Sequence, residues 1–214
     1  MRCLLFDLDG TLLDTIAGLD RAVNSVLGEM GLPLHSPAAL KHMVGEGIDI
    51  LVTRALPEGM RDAPTVESTT ARVKEMYSRS WEEGSWPYEG IPELLAELER
   101  RGLDFAVLSN KPDDFTGIMV RRYFPGVRFR DVRGARDGIP KKPDPTAALE
   151  IAAGMGYKPA DAIFVGDTWV DIQTGKRAGM EAVGVLWGFR ERNELLEAGA
   201  DHMVAVPKEL IRLL

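Results

Sequence analysis

Apolar residues along this chain fall into two regimes. From residue 88 onward, short apolar runs alternate with stretches of helical period. Leu103–Leu108, residues 128–133, Ala162–Val165, Ala182–Leu186 and His202–Val206 read as strands. Residues 92–101, the stretch up to Tyr123, Asp144 to Gly156, Asp171–Ala178 and the C-terminal end read as helices. Cys3–Phe6 is a further apolar run that ends at Asp7. Runs this apolar fit strands buried on both faces, and strand–helix alternation means a parallel sheet with helices on both sides. Between residues 15 and 83 the period changes. Ile16, Leu19, Val23, Val26, Leu27 and Met30 step by three and four, as one helical face does. Asp14 or Thr15 is the expected cap, and Gly31 and Pro33 end the helix. Ser36-Pro37 opens a second helix, Gly45-Glu46-Gly47 breaks it, Ile48–Leu56 forms a third, and Val66, Val73, Met76, Tyr77 and Trp81 mark a fourth. The expected fold class is α/β: a doubly wound parallel sheet from residues 1–14 and 84–214, with a small α-helical domain, 15–83, inserted after the first strand.

Composition narrows the function classes. The 214 residues are 45% apolar and 28% charged, ordinary for a folded domain. Formal net charge is -7 with no basic stripe, so no nucleic-acid partner is expected. An anionic ligand would need local positive groups, because the overall field repels it. No run reaches membrane-spanning length, and the apolar run before Asp7 is too short for a signal peptide. The single cysteine, Cys3, excludes an intrachain disulfide and fits a reducing cytoplasm. It lies in an apolar run, and a cysteine-phosphatase loop would need arginine where Asp9 stands, so Cys3 reads as core. His35, His42 and His202 lack metal-ligand spacing and read as structural or surface residues.

The chemistry sits at strand ends. Three apolar runs terminate in reactive residues: Asp7 and Asp9; Ser109 and Asn110; Asp167, with Asp171 just beyond. Ligands of open parallel sheets bind outside the carboxyl ends of the strands, so these groups are expected to converge. Converged carboxylates suit a hard cation, and Mg2+ takes a few carboxylates together with water and phosphate oxygens. Gly10 permits a sharp turn whose N–H groups face an anion.

In order along the chain, four motifs resemble those of the haloacid dehalogenase superfamily in its phosphatase form. They are Phe6-Asp7-Leu8-Asp9-Gly10-Thr11-Leu12, Leu108-Ser109-Asn110-Lys111, Lys142-Pro143-Asp144-Pro145, and Val165-Gly166-Asp167 with Asp171. The inserted helices are similar to that superfamily's cap domain. The resemblance implies a magnesium-dependent phosphatase working through an aspartyl-phosphate. Asp7 is the implied nucleophile. Asp9 protonates the leaving alkoxide and then deprotonates the attacking water. The cation sits on a carboxylate oxygen of Asp7, the main-chain carbonyl of Asp9, and Asp167, while Asp171 holds a metal-bound water or orients the site. Gly10, Thr11, Ser109, Asn110 and Lys142 bind the phosphoryl group. Lys142, directly before proline, is preferred to a solvated Lys141; Lys111 either assists or lies at the surface.

Within the superfamily, Met43 to Leu56 and Gly134 to Pro145 are similar to the bacterial phosphoglycolate phosphatases. Gly45, Glu46, Gly47 and Arg54 are accordingly expected to bind substrate, with Arg54 on a carboxylate. The implied partner is a small phosphorylated metabolite, acted on by a monomer or homodimer. Relatives that hydrolyse pyrophosphate, sugar phosphates or nucleotides are the alternatives. Dehalogenases lack the second acid that Asp9 provides. Phosphomutases share Asp9 but often have valine in place of Thr11. A signalling receiver domain, or a non-catalytic phosphate binder, is the alternative of another class. A receiver, however, carries its acceptor aspartate on a strand comparable to the one ending here in Ser109.

Overall fold

A computed structural model describes residues 2–214. The chain divides into two compact units, an α/β unit comprising residues up to Leu13 with Pro87–Leu214, and a helical unit, Asp14–Trp86. The crossings between them fall at two-residue strands, β2 (Leu13–Asp14) and β3 (Trp86–Pro87).

The α/β unit is built on a six-stranded sheet in the order β5-β4-β1-β6-β7-β8. Its strands are β1 (Cys3–Phe6), β4 (Phe105–Pro112), β5 (Val132–Ala135), β6 (Ala162–Gly166), β7 (Glu181–Val185) and β8 (His202–Val204). Every pairing is parallel, with Leu5 of β1 opposite Ala106 of β4 and Phe164 of β6. Successive strand side chains point to opposite faces, yet all four residues of β1 are fully buried, so the central strand is covered on both sides. Cys3 and Leu5 share a core with Ala106, Leu108, Phe164 and Ile151. Flanking helices are α5 (Ile91–Arg100), α6 (Asp113–Tyr123), α7 (Thr146–Gly154), α8 (Trp169–Ala178) and α9 (Arg192–Glu197). In α5, Ile91, Leu94, Leu95 and Leu98 make the buried stripe expected of an amphipathic helix.

Three elements differ from the sequence reading. The edge strand β5 lies later than residues 128–133. The C-terminal end, Pro207–Leu213, winds as a 3-10 helix rather than an α-helix. β4 runs on to Pro112, so Ser109, Asn110 and Lys111 belong to the strand itself. Its register with β5 shifts there. Leu108 pairs with Arg133 and Pro112 with Ala135, leaving Ser109, Asn110 and Lys111 against Gly134 alone. Such a bulge re-aims side chains that a regular pleat would send to alternate faces.

The helical unit contains α1 (Ile16–Glu29), α2 (Pro37–Lys41), α3 (Ile48–Ala55) and α4 (Ala63–Ser80). The apolar face of α1 (Leu19, Val23, Val26, Leu27) is buried, as are Thr69, Thr70, Val73 and Tyr77 of α4, the helix it packs against. At the start of α1, the Asp14 carboxylate takes the Ile16 N–H at 3.1 Å, while Thr15 makes no side-chain cap. The second helix opens as read, with Ser36 Oγ accepting the Ala39 N–H.

Candidate active site

The carboxyl ends of β1 and β6 put Asp7 and Asp167 side by side. The Asp7 N–H donates to the Val165 carbonyl at 2.9 Å, extending the ladder by one step past β1. Asp171 enters from the first turn of α8, where a negative charge is favoured by the helix dipole. Asp7, Asp167 and Asp171 each offer a carboxylate oxygen, and these atoms all lie within 4.8 Å of one another. All three residues are buried. Lys142 Nζ lies between two of them, 2.8 Å from Asp7 Oδ1 and 2.7 Å from Asp171 Oδ1. The contact with Asp7 is an ion pair without a well-aligned hydrogen bond.

Three buried carboxylates, two of them paired with Lys142, gather negative charge in a site shielded from water. Burial, reinforced by the Asp171 and Asp9 charges, pushes the Asp7 carboxyl up to about 7 despite the neighbouring Lys142. Asp167 is likewise pushed well above the ordinary carboxylate range by burial, then by Asp171 and Asp7. Burial alone would lower Lys142, but the Asp171 and Asp7 carboxylates outweigh it and hold the ammonium charged. Hard oxygen donors in surplus are what a divalent cation takes, so the donor set fits such an ion.

Asp167 is held from several sides. Its Oδ1 accepts from Thr11 Oγ1 at 3.2 Å and its Oδ2 from the Phe189 N–H at 2.7 Å. Gly10 has a φ of +87°, and a Cβ there would meet Asp167 Oδ2 at 2.2 Å; a Cβ on Gly188 would meet Asp167 Cβ at 2.3 Å. Both positions therefore require glycine. Trp187 Nε1 donates to the Thr11 carbonyl at 3.0 Å, and buried Arg190 pairs with Glu194 at 3.1 Å. The sequence reading missed the segment Gly188 to Arg190. Its one signal is that it follows the apolar run of β7, another strand end.

Asp171 has little freedom for a mobile water. Its Oδ1 takes Lys142, and its Oδ2 takes the N–H and hydroxyl of Thr168 at 3.1 and 2.7 Å. Asn110 is tied to Lys142 by a reciprocal pair. Its Oδ1 accepts the Lys142 N–H at 2.9 Å and its Nδ2 donates to the Lys142 carbonyl at 3.0 Å. Ser109 Oγ accepts the Lys111 N–H at 3.2 Å. The Asp9 carboxylate lies outside the three-carboxylate cluster and is paired with Lys111. Lys111 is no surface residue: its side chain is 6% exposed, because the bulge in β4 turns it inward. Lys141 is exposed. In the helical unit, Gly45 and Gly47 flank Glu46 just before α3, and Arg54 pairs with Glu46 and donates to the Met43 carbonyl at 3.2 Å. Both charged residues expected to bind substrate from this unit are thus paired with each other.

The sequence model of haloacid dehalogenase-like hydrolases matches residues 4–185. The chain belongs to this family. Among family relatives, a phosphoglycolate phosphatase of Pseudomonas putida is 35% identical over 192 residues, covering 88% of this chain and 70% of that protein. A phosphoglycolate phosphatase of Yersinia pseudotuberculosis is 30% identical over 207 residues, covering 96% and 89%. A crystal structure of a protein assigned as a phosphoglycolate phosphatase, from Lactobacillus delbrueckii subsp. bulgaricus, superposes with a TM-score of 0.93. It is 29% identical and covers 100% of this chain and 98% of that one. In this haloacid dehalogenase-like hydrolase, no helix among the described residues is long and apolar enough to cross a membrane.

Proposed function

We propose that the chain hydrolyses a small phosphate monoester, 2-phosphoglycolate, using magnesium and an aspartyl-phosphate on Asp7. The observation that carries this reading is the meeting of Asp7, Asp167 and Asp171 at the carboxyl ends of β1 and β6, with Lys142 paired to Asp7 and Asp171. The family, and the names of its phosphoglycolate phosphatase members, supply the substrate class.

Each residue has a task that its surroundings suit. Asp7 attacks phosphorus, and Lys142 favours its ionised form and faces the charge that gathers on the phosphoryl oxygens. Asn110 acts through Lys142, fixing its main chain. Ser109, Thr11 and the turn at Gly10 complete the phosphate cradle. Asp9 gives its proton to the departing oxygen and takes one from the water that cleaves the acyl phosphate. Asp7, Asp167 and the Asp9 carbonyl are the residues that would hold magnesium, with Asp171 fixing the arrangement from behind. Bound there, the cation supplies Lewis acidity toward the phosphoryl oxygens. The helical unit is read as the cap domain, with Gly45, Glu46, Gly47 and Arg54 as its substrate-binding residues.

The test is phosphate release from a panel of small phosphoesters that includes 2-phosphoglycolate, with magnesium and with a chelator. Turnover is expected to stop with the chelator and to be fastest on 2-phosphoglycolate. Chelator-resistant hydrolysis would remove the metal, and a flat panel would remove the substrate. Arg54→Ala is expected to raise KM for 2-phosphoglycolate more than for an aryl phosphate; equal changes would leave Arg54 without a part in recognition.

A further inference from the structure

We propose that Lys111 is a positioning residue for Asp9, clamping its carboxylate in the place from which it acts as acid and base. This rests on the phosphatase reading above and extends it to a lysine outside the residues assigned there.

The geometry is specific. Lys111 Nζ donates to both Asp9 oxygens, at 3.0 and 2.8 Å. The side chains are only 6% and 13% exposed, so solvent screens the pair little. The main chain of Lys111 is fixed at both ends. Its N–H donates to Ser109 Oγ, and its carbonyl accepts the Thr116 hydroxyl at 3.3 Å. Its ammonium also lies 5.8 Å from the centre of the Phe115 ring.

Asp9 needs such a clamp for a chemical reason. It stands two residues from Asp7 and close to a site with surplus oxygen donors. A carboxylate that swings onto a divalent cation gives up the lone pair with which it would carry a proton. Held by Lys111 outside the three-carboxylate cluster, Asp9 keeps that lone pair for proton transfer. In the first step an Asp7 oxygen–phosphorus bond forms, the ester P–O bond breaks, and the Asp9 proton goes to the departing oxygen. In the second, a water oxygen–phosphorus bond forms, the Asp7–phosphorus bond breaks, and the water's proton goes to Asp9. Lys111 gains and loses nothing in either step.

The experiment compares kcat/KM on two aryl phosphates at saturating magnesium. p-Nitrophenyl phosphate has a leaving group that departs without protonation; phenyl phosphate has a poorer one. A general acid contributes roughly 100-fold or more when it is needed, so Lys111→Met is expected to lower kcat/KM about 100-fold on phenyl phosphate. The loss on p-nitrophenyl phosphate should stay below about tenfold, because protonation matters less there. Asp9→Asn should show the same contrast, and the double variant should be no worse than Asp9→Asn alone. Lys111→Arg should recover part of the loss. Equal losses on both esters, or a further loss in the double variant, would mean that Lys111 binds phosphate itself or merely supports the fold, and would overturn the proposal. So would full activity of Lys111→Met. Should Lys111→Met lack a cooperative thermal transition, Lys111→Arg carries the same test, with the same leaving-group contrast at smaller amplitude. A wild-type protein inactive on both esters sinks the phosphatase reading and this role with it; an active one with flat variants sinks only the role of Lys111.

Discussion

The two units bury different kinds of polar group. Among the described residues, every buried charge lies in the α/β unit: Asp7, Lys111, Lys142, Asp167, Asp171 and Arg190. The helical unit buries only hydroxyls, those of Thr15, Thr69, Thr70 and Ser85. Three of these, on Thr15, Thr70 and Ser85, have no hydrogen-bond partner. Its pairs of Arg72 with Glu29, Arg21 with Glu83 and Arg79 with Glu75 are exposed and contribute little. Burying ions costs several kcal/mol each unless they are paired, and a fold with no use for them does better with apolar residues. The α/β unit tolerates the cost where chemistry requires it, and the helical unit shows the same chain avoiding it elsewhere.

The contrast can be broken most severely at Asp7. Asp7→Asn is expected to lower kcat by four orders of magnitude or more (on the order of 10⁴), because it removes the nucleophile. Substantial residual turnover with phosphoglycolate would end the contrast as a functional one. Next comes Lys142→Met, which leaves the Asp7 and Asp171 carboxylates buried without their ammonium. It should destabilise the protein by about 3–5 kcal/mol in chemical denaturation, besides removing activity. An unchanged denaturation midpoint would show that the charges are not coupled as their distances suggest.

A third test concerns pH and metal. The folded Asp7 carboxyl sits at about 7, above its ordinary 3.8, so without metal the folded chain binds a proton more tightly than the unfolded chain. Proton-linked stability is then complete below the ordinary value and is lost as pH rises toward 7. The raised Asp167 carboxyl acts in the same direction. Magnesium competes with that proton. Its addition should raise the thermal midpoint more at pH 8 than at pH 5. Equal shifts would mean that the cation does not bind these carboxylates. The smallest effect belongs to the helical unit. Thr70→Val replaces an unpartnered buried hydroxyl with a methyl and should stabilise by about 1 kcal/mol, leaving kcat/KM unchanged. A loss of stability would show that the hydroxyl has a partner after all.

Strand ends were the legible part of this molecule. CLLF followed by Asp7 and AIFV followed by Gly166-Asp167 are short apolar runs with abrupt polar stops, and parallel sheets bring such stops to one edge. Lys142 was readable by its motif rather than by periodicity. Lys111 could not be settled, because in a regular strand it would simply alternate with Asn110. The bulge that turns both inward leaves no compositional trace. The segment from Gly188 to Arg190 was illegible for another reason: it holds Asp167 by a main-chain N–H and by the absence of a Cβ at Gly188, neither of which is a side-chain signal. The paired state of Glu46 and Arg54 depends on how the turn before α3 folds back, which spacing alone does not fix. Lengths of edge and terminal elements are weakly determined by local pattern, hence the shifted β5 and the 3-10 end.

The central position of β1 has a consequence during synthesis. Leu5 pairs with Ala106 on one side and Phe164 on the other, so both neighbours are made long after it. At ~5–20 residues per second, the roughly 160 residues to Phe164 take about 8–30 s to emerge from the ribosome. Throughout that interval Cys3, Leu4, Leu5 and Phe6 have no finished sheet to enter, and a nascent chain in this state offers chaperones an apolar tetrapeptide before it offers a substrate anything at all.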